Sequence, residues 1–373
     1  MVTATKIRLN RDEKQVIHYL RIHGSTCRSD IALSLGWSNF SLTQISKGLL
    51  ALGLIEEAAS RGSQRRGRPS VPLQISPAGG YAVGVAIHGG LLDIALVDYT
   101  GSTITHMSEP FDSPEPVVFV SLLRSRMNEL AGRHRLLGTP LLGVGIGLPG
   151  YSRPGGDSQR WHGIDALSGW RDVPVAQMLE DELGVPVWIE NDANAAALAE
   201  YYLGGLLSKF TSAVVILLGH GIGAGIVADG RLLKGEYGSA GEIGVFYPGS
   251  PRPCTLDLLA FLRENGVDIW SVSDVEAMTQ AHGELIQRWM LQAAGQLELV
   301  LNMAQAWFNP GAIVISSPLP HWFVEQLVTC INETVASPFQ SLAHARNLGV
   351  SKLGGTAIAL GAALVPIHAS VEP

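Results

Sequence analysis

Residues 185–200 read Val-Pro-Val-Trp-Ile-Glu-Asn-Asp-Ala-Asn-Ala-Ala-Ala-Leu-Ala-Glu, an apolar run that gives way to an Ala-rich one at Asn191 and Asp192. The pattern predicts a buried strand turning straight into a helix, the junction at which open α/β folds hold their ligands. An amide and a carboxylate in that place suit two chemistries. A carboxylate can accept two hydroxyls of a sugar at once, or take the proton from a hydroxyl that attacks a phosphoryl donor. Spacing alone leaves a third role open, since either side chain can cap the helix beginning at Ala193. Glu242, between Gly241 and Ile243, is a further acid that could bind hydroxyls or pair with an Arg in the core. His162 and His220 are candidate polar contacts, with a surface or structural role the simpler reading of each.

These residues need a scaffold, and the chain is long enough to supply one. Its 373 residues, 46% hydrophobic and 16% charged, suit two or three domains with real cores and not a disordered chain. Residues 1–8 carry no apolar run, which predicts no signal peptide. The longest apolar run, 213–227, is interrupted by glycine and His220 and is too short to span a bilayer, so no membrane association is expected. Cys27, Cys254 and Cys330 are scattered and odd in number, which suggests no disulfide framework and a cytoplasmic setting.

Charge divides the chain. Residues 1–76 hold 11 Lys or Arg against 5 Asp or Glu, a balance of +6, whereas the rest holds 15 against 28, a balance of −13. A basic head on an acidic body predicts that the head alone meets a polyanion. Apolar spacing predicts helices over 11–23 and 28–35, and a third from an N-cap at Ser38 to Gly53 with Leu42, Ile45, Leu49 and Leu52 inward. This is the order of a helix-turn-helix. The outer face of its third helix would carry Asn39, Ser41, Thr43, Gln44 and Lys47, with Ser38 at its start, for base edges and phosphate. Residues 54–57 and 71–75 then predict a β-hairpin wing with Arg61, Arg65, Arg66 and Arg68 at its tip, suited to phosphate or the minor groove. Taken by itself the Arg cluster reads as a solvated linker; the helix pattern beside it favours double-stranded DNA.

From Gly80 the pattern becomes strand (81–86), Gly turn (88–90), strand (91–97) and polar Gly turn (98–101). The layout returns over 213–230, a weak internal repeat that predicts a two-lobed α/β body with a cleft between its lobes. The expected division is a head over 1–76, a first lobe over 77–192 completed by a helix within 355–373, and a second lobe with an oligomerisation surface over 193–354.

Four motifs in this order resemble the ROK family of repressors, open reading frames and sugar kinases. They are Gly-Val-Gly-Ile-Gly-Leu-Pro-Gly (143–150), Glu-Asn-Asp-Ala-Asn-Ala-Ala (190–196), Gly-His-Gly-Ile-Gly-Ala-Gly (219–225) and Gly-Ser-Ala-Gly-Glu-Ile-Gly (238–244). The resemblance covers nearly the whole chain and includes the Gly67-Arg68-Pro69 wing. It implies an actin-like, ribonuclease-H-like body, a sugar in the cleft and a homodimer or homotetramer. It assigns Asn191, Asp192 and Glu242 to sugar hydroxyls, and places Ser168 and Gly169 in a sugar-contacting loop, where Trp170 reads as packing.

The same resemblance shows what is missing. Kinase members carry Asp-x-Gly-Gly-Thr in the first turn; here it is Ala86-Ile87-His88-Gly89-Gly90, without the carboxylate or hydroxyl that handle magnesium and phosphate. Gly219-His220-Gly221 replaces Gly-Thr-Gly, and Ser316-Ser317-Pro318 follows the late strand where Gly-Gly is usual. The family's zinc-binding His is Val245 here, and Cys254 is the lone thiol of a shortened segment, short of the four ligands zinc needs. The expectation is no zinc, no ATP, no magnesium and no enzyme activity. The chain reads as a DNA-binding transcriptional regulator of carbohydrate metabolism, a repressor by expectation, released by a sugar or sugar derivative. The alternatives are a sugar kinase with Asp192 as general base, and a DNA-binding protein that needs no ligand.

Overall fold

The computed structural model describes residues 9–59, 71–88, 90–111, 115–153, 160–163, 170, 173–249, 251–278, 281–335 and 346–370. Arg61, Arg65, Arg66 and Arg68 of the expected wing tip lie outside the described residues, as do Ser168 and Gly169 and the side chain of His162.

The head comprises α1 (Arg11–His23), β1 (Thr26–Cys27), α2 (Arg28–Leu35), α3 (Asn39–Ala51), β2 (Ile55–Glu57) and β3 (Pro72–Ile75). Helix α1 starts on a capping box, Asn10 Oδ1 accepting from Glu13 N and Glu13 Oε2 accepting from Asn10 N, both at 2.9 Å. Val16, Ile17, Leu20, Ile31, Leu42 and Leu49 close over Leu54 and over Ile55 and Leu73 of a small sheet ordered β1-β3-β2. Leu52 was expected inside this core but is 55% exposed. It caps α3, and the left-handed turn at Gly53 (φ 70°) carries Leu54 inward in its place.

The first lobe contains β4 (Tyr81–His88), β5 (Leu91–Asp98), β6 (Thr103–Pro110), α4 (Pro116–Arg133), β7 (Leu141–Leu148), β8 (Gly150–Arg153), β9 (Arg160–Gly163), α5 (Val175–Leu183) and β10 (Val187–Asn191). Helix α6 (Asp192–Tyr202) leads to the second lobe: β11 (Ser212–Leu218), β12 (Ile222–Ala228), β13 (Arg231–Leu232), α7 (Thr255–Glu264), α8 (Val275–Met278), α9 (Gly283–Phe308), β14 (Ala312–Ser316), α10 (His321–Thr334) and β15 (Leu348–Val350). The last helix is α11 (Ala357–Ala369). The two five-stranded sheets run β10-β7-β4-β5-β6 and β13-β12-β11-β14-β15. In each, an antiparallel three-strand meander is extended on its first strand by two parallel strands, so the repeat seen in sequence is a repeat of topology.

Small residues let the middle of the molecule close. Helix α11 packs on β4 and β7 of the first sheet, and α6 fills the space between α11 and β12. A Cβ on Gly84 would stand 1.9 Å from the Ala359 carbonyl oxygen, and one on Gly145 as close to that of Ala362. A Cβ on Gly361 would meet the Ala195 oxygen at 1.7 Å. The alanines of 193–199 therefore make α6 a thin helix that two layers can approach at backbone distance. Glu200, buried at its far end, accepts a short hydrogen bond from the Ser351 hydroxyl and longer ones from Lys352 and Leu353 N–H, fixing the turn into α11.

The head rests on the body through α1, where Arg21 lies 4.7 Å over the Tyr99 ring. Around that contact the fit is loose. Open clefts of about 820, 480 and 140 Å³ are each lined by residues of α1 or its approach (Leu9 and Lys14; Leu20 and Arg21; His18) together with body residues. The Nε and Nη2 atoms of Arg21 are buried without a hydrogen-bond partner. Among the described residues no helix is long and apolar enough to cross a membrane.

Candidate functional site

Strand β10 pairs in parallel with β7, and β7 with β4, so Asn191, Leu148 and the end of β4 share one edge of the first sheet. Helix α6 starts there. Asn191 is its N-cap: Oδ1 accepts from Asn194 N at 3.0 Å, while Nδ2 donates to the Gly150 carbonyl at 2.8 Å. Its amide is largely committed to structure, as the capping alternative anticipated. Glu190 braces the same corner, accepting from Asn191 N and Asn194 Nδ2 and pairing with Lys234 Nζ at 2.6 Å across to the second lobe.

Asp192 is placed differently. One oxygen accepts from Ala193 N at 2.8 Å, and no side chain among the described residues bonds the carboxylate. Burial pushes its pKa up to about 6, against the backbone N–H of Ala193 and the nearby His88, which favour the ionised form. Glu242 faces it from the second lobe, its own pKa raised by burial and then by the charge of Asp192. No Arg pairs with Glu242 among the described residues. Its segment is pressed against β12, since a Cβ on Gly241 would stand 1.9 Å from the Ala224 carbonyl oxygen. Two carboxyl groups with open hydrogen-bonding capacity thus face each other at the lobe junction, the acceptor set that a ligand's hydroxyls need.

The turn after β4 holds residues that sequence reading missed. Strand β4 runs on through His88, which was expected to lie in a turn. His88 Nε2 lies 2.5 Å from Asp93 Oδ2, and His106 Nε2 lies 3.4 Å from Asp93 Oδ1. Asp93 is 4% exposed and is the cross-strand partner of Ala86. A carboxylate is therefore present one strand away from the position where kinases keep one. Burial raises its pKa, but the His106 and His88 imidazoles beside it, with the charge of His88, hold it well below the usual carboxylate range. One oxygen is bonded by His88, while the other lies 3.4 Å from His106 Nε2, a contact short of a hydrogen bond.

The two other turns in which the family's nucleotide contacts are altered are held largely by internal bonds. Thr255 N and Oγ1 both donate to the Gly219 carbonyl, fixing the Gly219-His220 turn, and burial lowers the pKa of half-exposed His220. Ser317 Oγ donates to Leu218 O, while the buried Ser316 hydroxyl has no partner. At the zinc segment Val245 is 72% exposed and Cys254 is buried, its thiol pushed up to about 11 by burial. Residues of that kind do not fit a tetrahedral zinc ion. Trp170 is buried against Phe119, a packing residue.

In the head, Asn39, Ser41, Gln44 and Lys47 lie exposed along α3, next to Phe40, which sequence reading passed over and which is 74% exposed. Ser38 and Thr43 carry structural bonds: Ser38 Oγ accepts from Ser41 N at 3.1 Å, and Thr43 Oγ1 donates to Asn39 O at 2.7 Å. Ser38→Ala is expected to cost the head about 1 kcal/mol through loss of this cap, read as a lower urea midpoint of the head signal at unchanged slope.

The fold and the cleft define the class, and comparison with known proteins agrees. The ROK family model matches residues 83–255. The chain is 30% identical over 360 residues to an uncharacterised protein, y4fQ, of Sinorhizobium fredii, spanning 96% of this chain and 91% of that one. It is 25% identical over 325 residues to the DNA-binding transcriptional repressor Mlc of Escherichia coli (79% and 78%). A crystal structure of a ROK family transcriptional regulator, described as a homologue of E. coli Mlc, superposes with a TM-score of 0.69 at 21% identity, covering 97% and 96% of the two chains. The chain belongs to the ROK family.

Proposed function

We propose that the protein is a DNA-binding transcriptional regulator, a repressor by preference, whose body binds a sugar or sugar derivative between its lobes. The observation that carries this reading is the join itself. A basic three-helix head with a polar α3 face sits on an acidic body whose lobe junction keeps Asp192 and Glu242 but has Ala86 in place of the metal-binding carboxylate. Several relatives of similar length carry repressor names, including the xylose repressor of Bacillus spizizenii. Lys47 would meet phosphate, and Asn39, Ser41 and Gln44 base edges, in a homodimer or homotetramer on double-stranded operator DNA. Ligand binding would close the lobes and bias the head toward release.

The test is selection of duplexes from a random library by the full-length protein, followed by gel shifts with added sugars. A recovered palindromic site, released by at least one sugar, is the expected outcome. Lys47→Glu should weaken that site at least ~10-fold and flatten its salt dependence, because one phosphate contact is lost and a repulsion added. Absence of any selected site would refute the regulator reading.

A sugar kinase is the second reading, favoured by the Asp192 carboxyl, which is poised near the range of a general base. A coupled ADP-release assay with hexoses decides it, and we expect no turnover above background.

A further inference from the structure

Phe40 stands at the second position of α3 with its ring 74% exposed. Helix α3 turns Leu42, Ser46 and Leu49 inward and packs on α1, α2 and β2. Its exposed positions include Phe40, Gln44, Lys47 and Ala51. That run, at i, i+4, i+7 and i+11, forms one stripe along the helix. Asn39 and Ser41, also exposed, flank its start. Phe40 therefore shares a face with the amide assigned above to base edges and the ammonium group assigned to phosphate. A phenyl ring in that place adds little to the core of the head, and it has no donor or acceptor of its own.

Position in the helix gives the ring its reach. In a helix-turn-helix the N-terminal residues of the second helix meet base edges, and here that helix is α3, which follows α2 and the turn over 36–38. Side chains tilt toward the start of their helix, so Phe40 leaves α3 at its leading end. One turn separates Phe40 from Gln44, about 6 Å along the axis, so both reach the same half-site. In the major groove every base pair presents hydrogen-bonding groups, but the C5-methyl of thymine is the one apolar group on offer. A phenyl ring can read that methyl by taking it out of water, whereas cytosine has only a hydrogen in its place. The amide of Asn39 or Gln44 matches adenine N6 and N7. The stripe thus carries readers for both partners of an A·T pair.

We propose that Phe40 is a specificity-determining residue that contacts the C5-methyl group of one thymine in each operator half-site. This rests on the reading of the head as a DNA-binding domain. Phe40 discriminates between bases, while Lys47 supplies attraction that is blind to sequence. The preferred half-site therefore contains a thymine whose methyl group matters apart from its pairing.

The experiment uses the full-length protein and a duplex recovered by selection from the random library. Each thymine of a half-site is replaced in turn by uracil, which removes the methyl group and keeps the hydrogen-bonding groups, and binding is read by gel shift. At one thymine per half-site the wild type should lose about fourfold in affinity, the worth of one buried methyl group. Phe40→Ala should bind the thymine duplex more weakly and no longer distinguish thymine from uracil at that position. Phe40→Leu, which keeps an apolar side chain, should retain part of the distinction. The salt dependence of Phe40→Ala should match the wild type, because no phosphate contact is removed. Thermal melts of each variant verify folding. A half-site without thymine, a flat uracil scan, or an equal uracil penalty in the wild type and Phe40→Ala overturns this inference alone. Absence of any selected duplex overturns the DNA-binding reading itself.

Discussion

Gly361→Val is expected to abolish the folded body. The mutated Cβ would stand 1.7 Å from the Ala195 carbonyl oxygen and 2.4 Å from its carbon, and these are backbone atoms that no rotamer change can move. Helix α11 cannot retreat, because Gly84 and Gly145 hold its other side against the first sheet at equally short range. Separating α6 from α11 would open both layers at once. Overpacking costs about 1–3 kcal/mol where side chains can adjust. Where they cannot, the loss exceeds about 4 kcal/mol, a large share of the roughly 5–15 kcal/mol that holds a domain together. The measurement is a urea melt followed by circular dichroism, with Gly361→Ala as the milder step. Gly132→Ala is the control. That glycine lies within α4 with nothing inside 4 Å of an added Cβ, so alanine should be neutral or stabilising by up to about 1 kcal/mol. A Gly361→Ala protein that melts like the wild type would contradict the close approach of the two helices.

Asp192→Asn is expected to stabilise the empty protein and weaken sugar binding. The Asp192 pKa rises from 3.8 to about 6 on folding, chiefly through burial. Between these values the folded protein keeps a proton that the unfolded chain releases. The stability associated with Asp192 is therefore complete below pH 4 and is lost as pH rises through 6. Asparagine has the same shape, can still accept from Ala193 N–H and has no charge to bury. The variant should match the wild type at pH 4 and exceed it at pH 7.5, by on the order of 1–3 kcal/mol. Replacing a charged acceptor by a neutral one should weaken binding of a sugar by roughly 10–100-fold. Melts at the two pH values and a titration with the best sugar ligand check both halves. A variant less stable than the wild type at pH 7.5 would show that Asp192 is not a strained acid.

Much of this was legible in the residues. The three head helices fell where apolar spacing and the Ser38 cap put them, because local signals decide helix ends. The two-lobed body followed from a repeated strand–turn pattern, and the repeat proved to be one of sheet topology. Asn191 and Asp192 were visible as a pair, but their division of labour was not. Which of two adjacent polar residues caps a helix depends on where the turn points, and here Asn191 caps while Asp192 keeps an oxygen open. The His88–Asp93–His106 cluster was invisible for a different reason. Asp93 sits within an apolar strand, and nothing near it in the chain indicates that register places it opposite Ala86 and beside two imidazoles. Leu52 was misjudged because helical periodicity was continued one residue beyond the point at which Gly53 turns the chain.

The joint beneath α1 bears on how the head would answer a crowded solvent. Excluded-volume agents, which reward compactness, should favour the docked head. The head and body are continuous through one apolar cluster, so lifting the head would expose apolar surface to water.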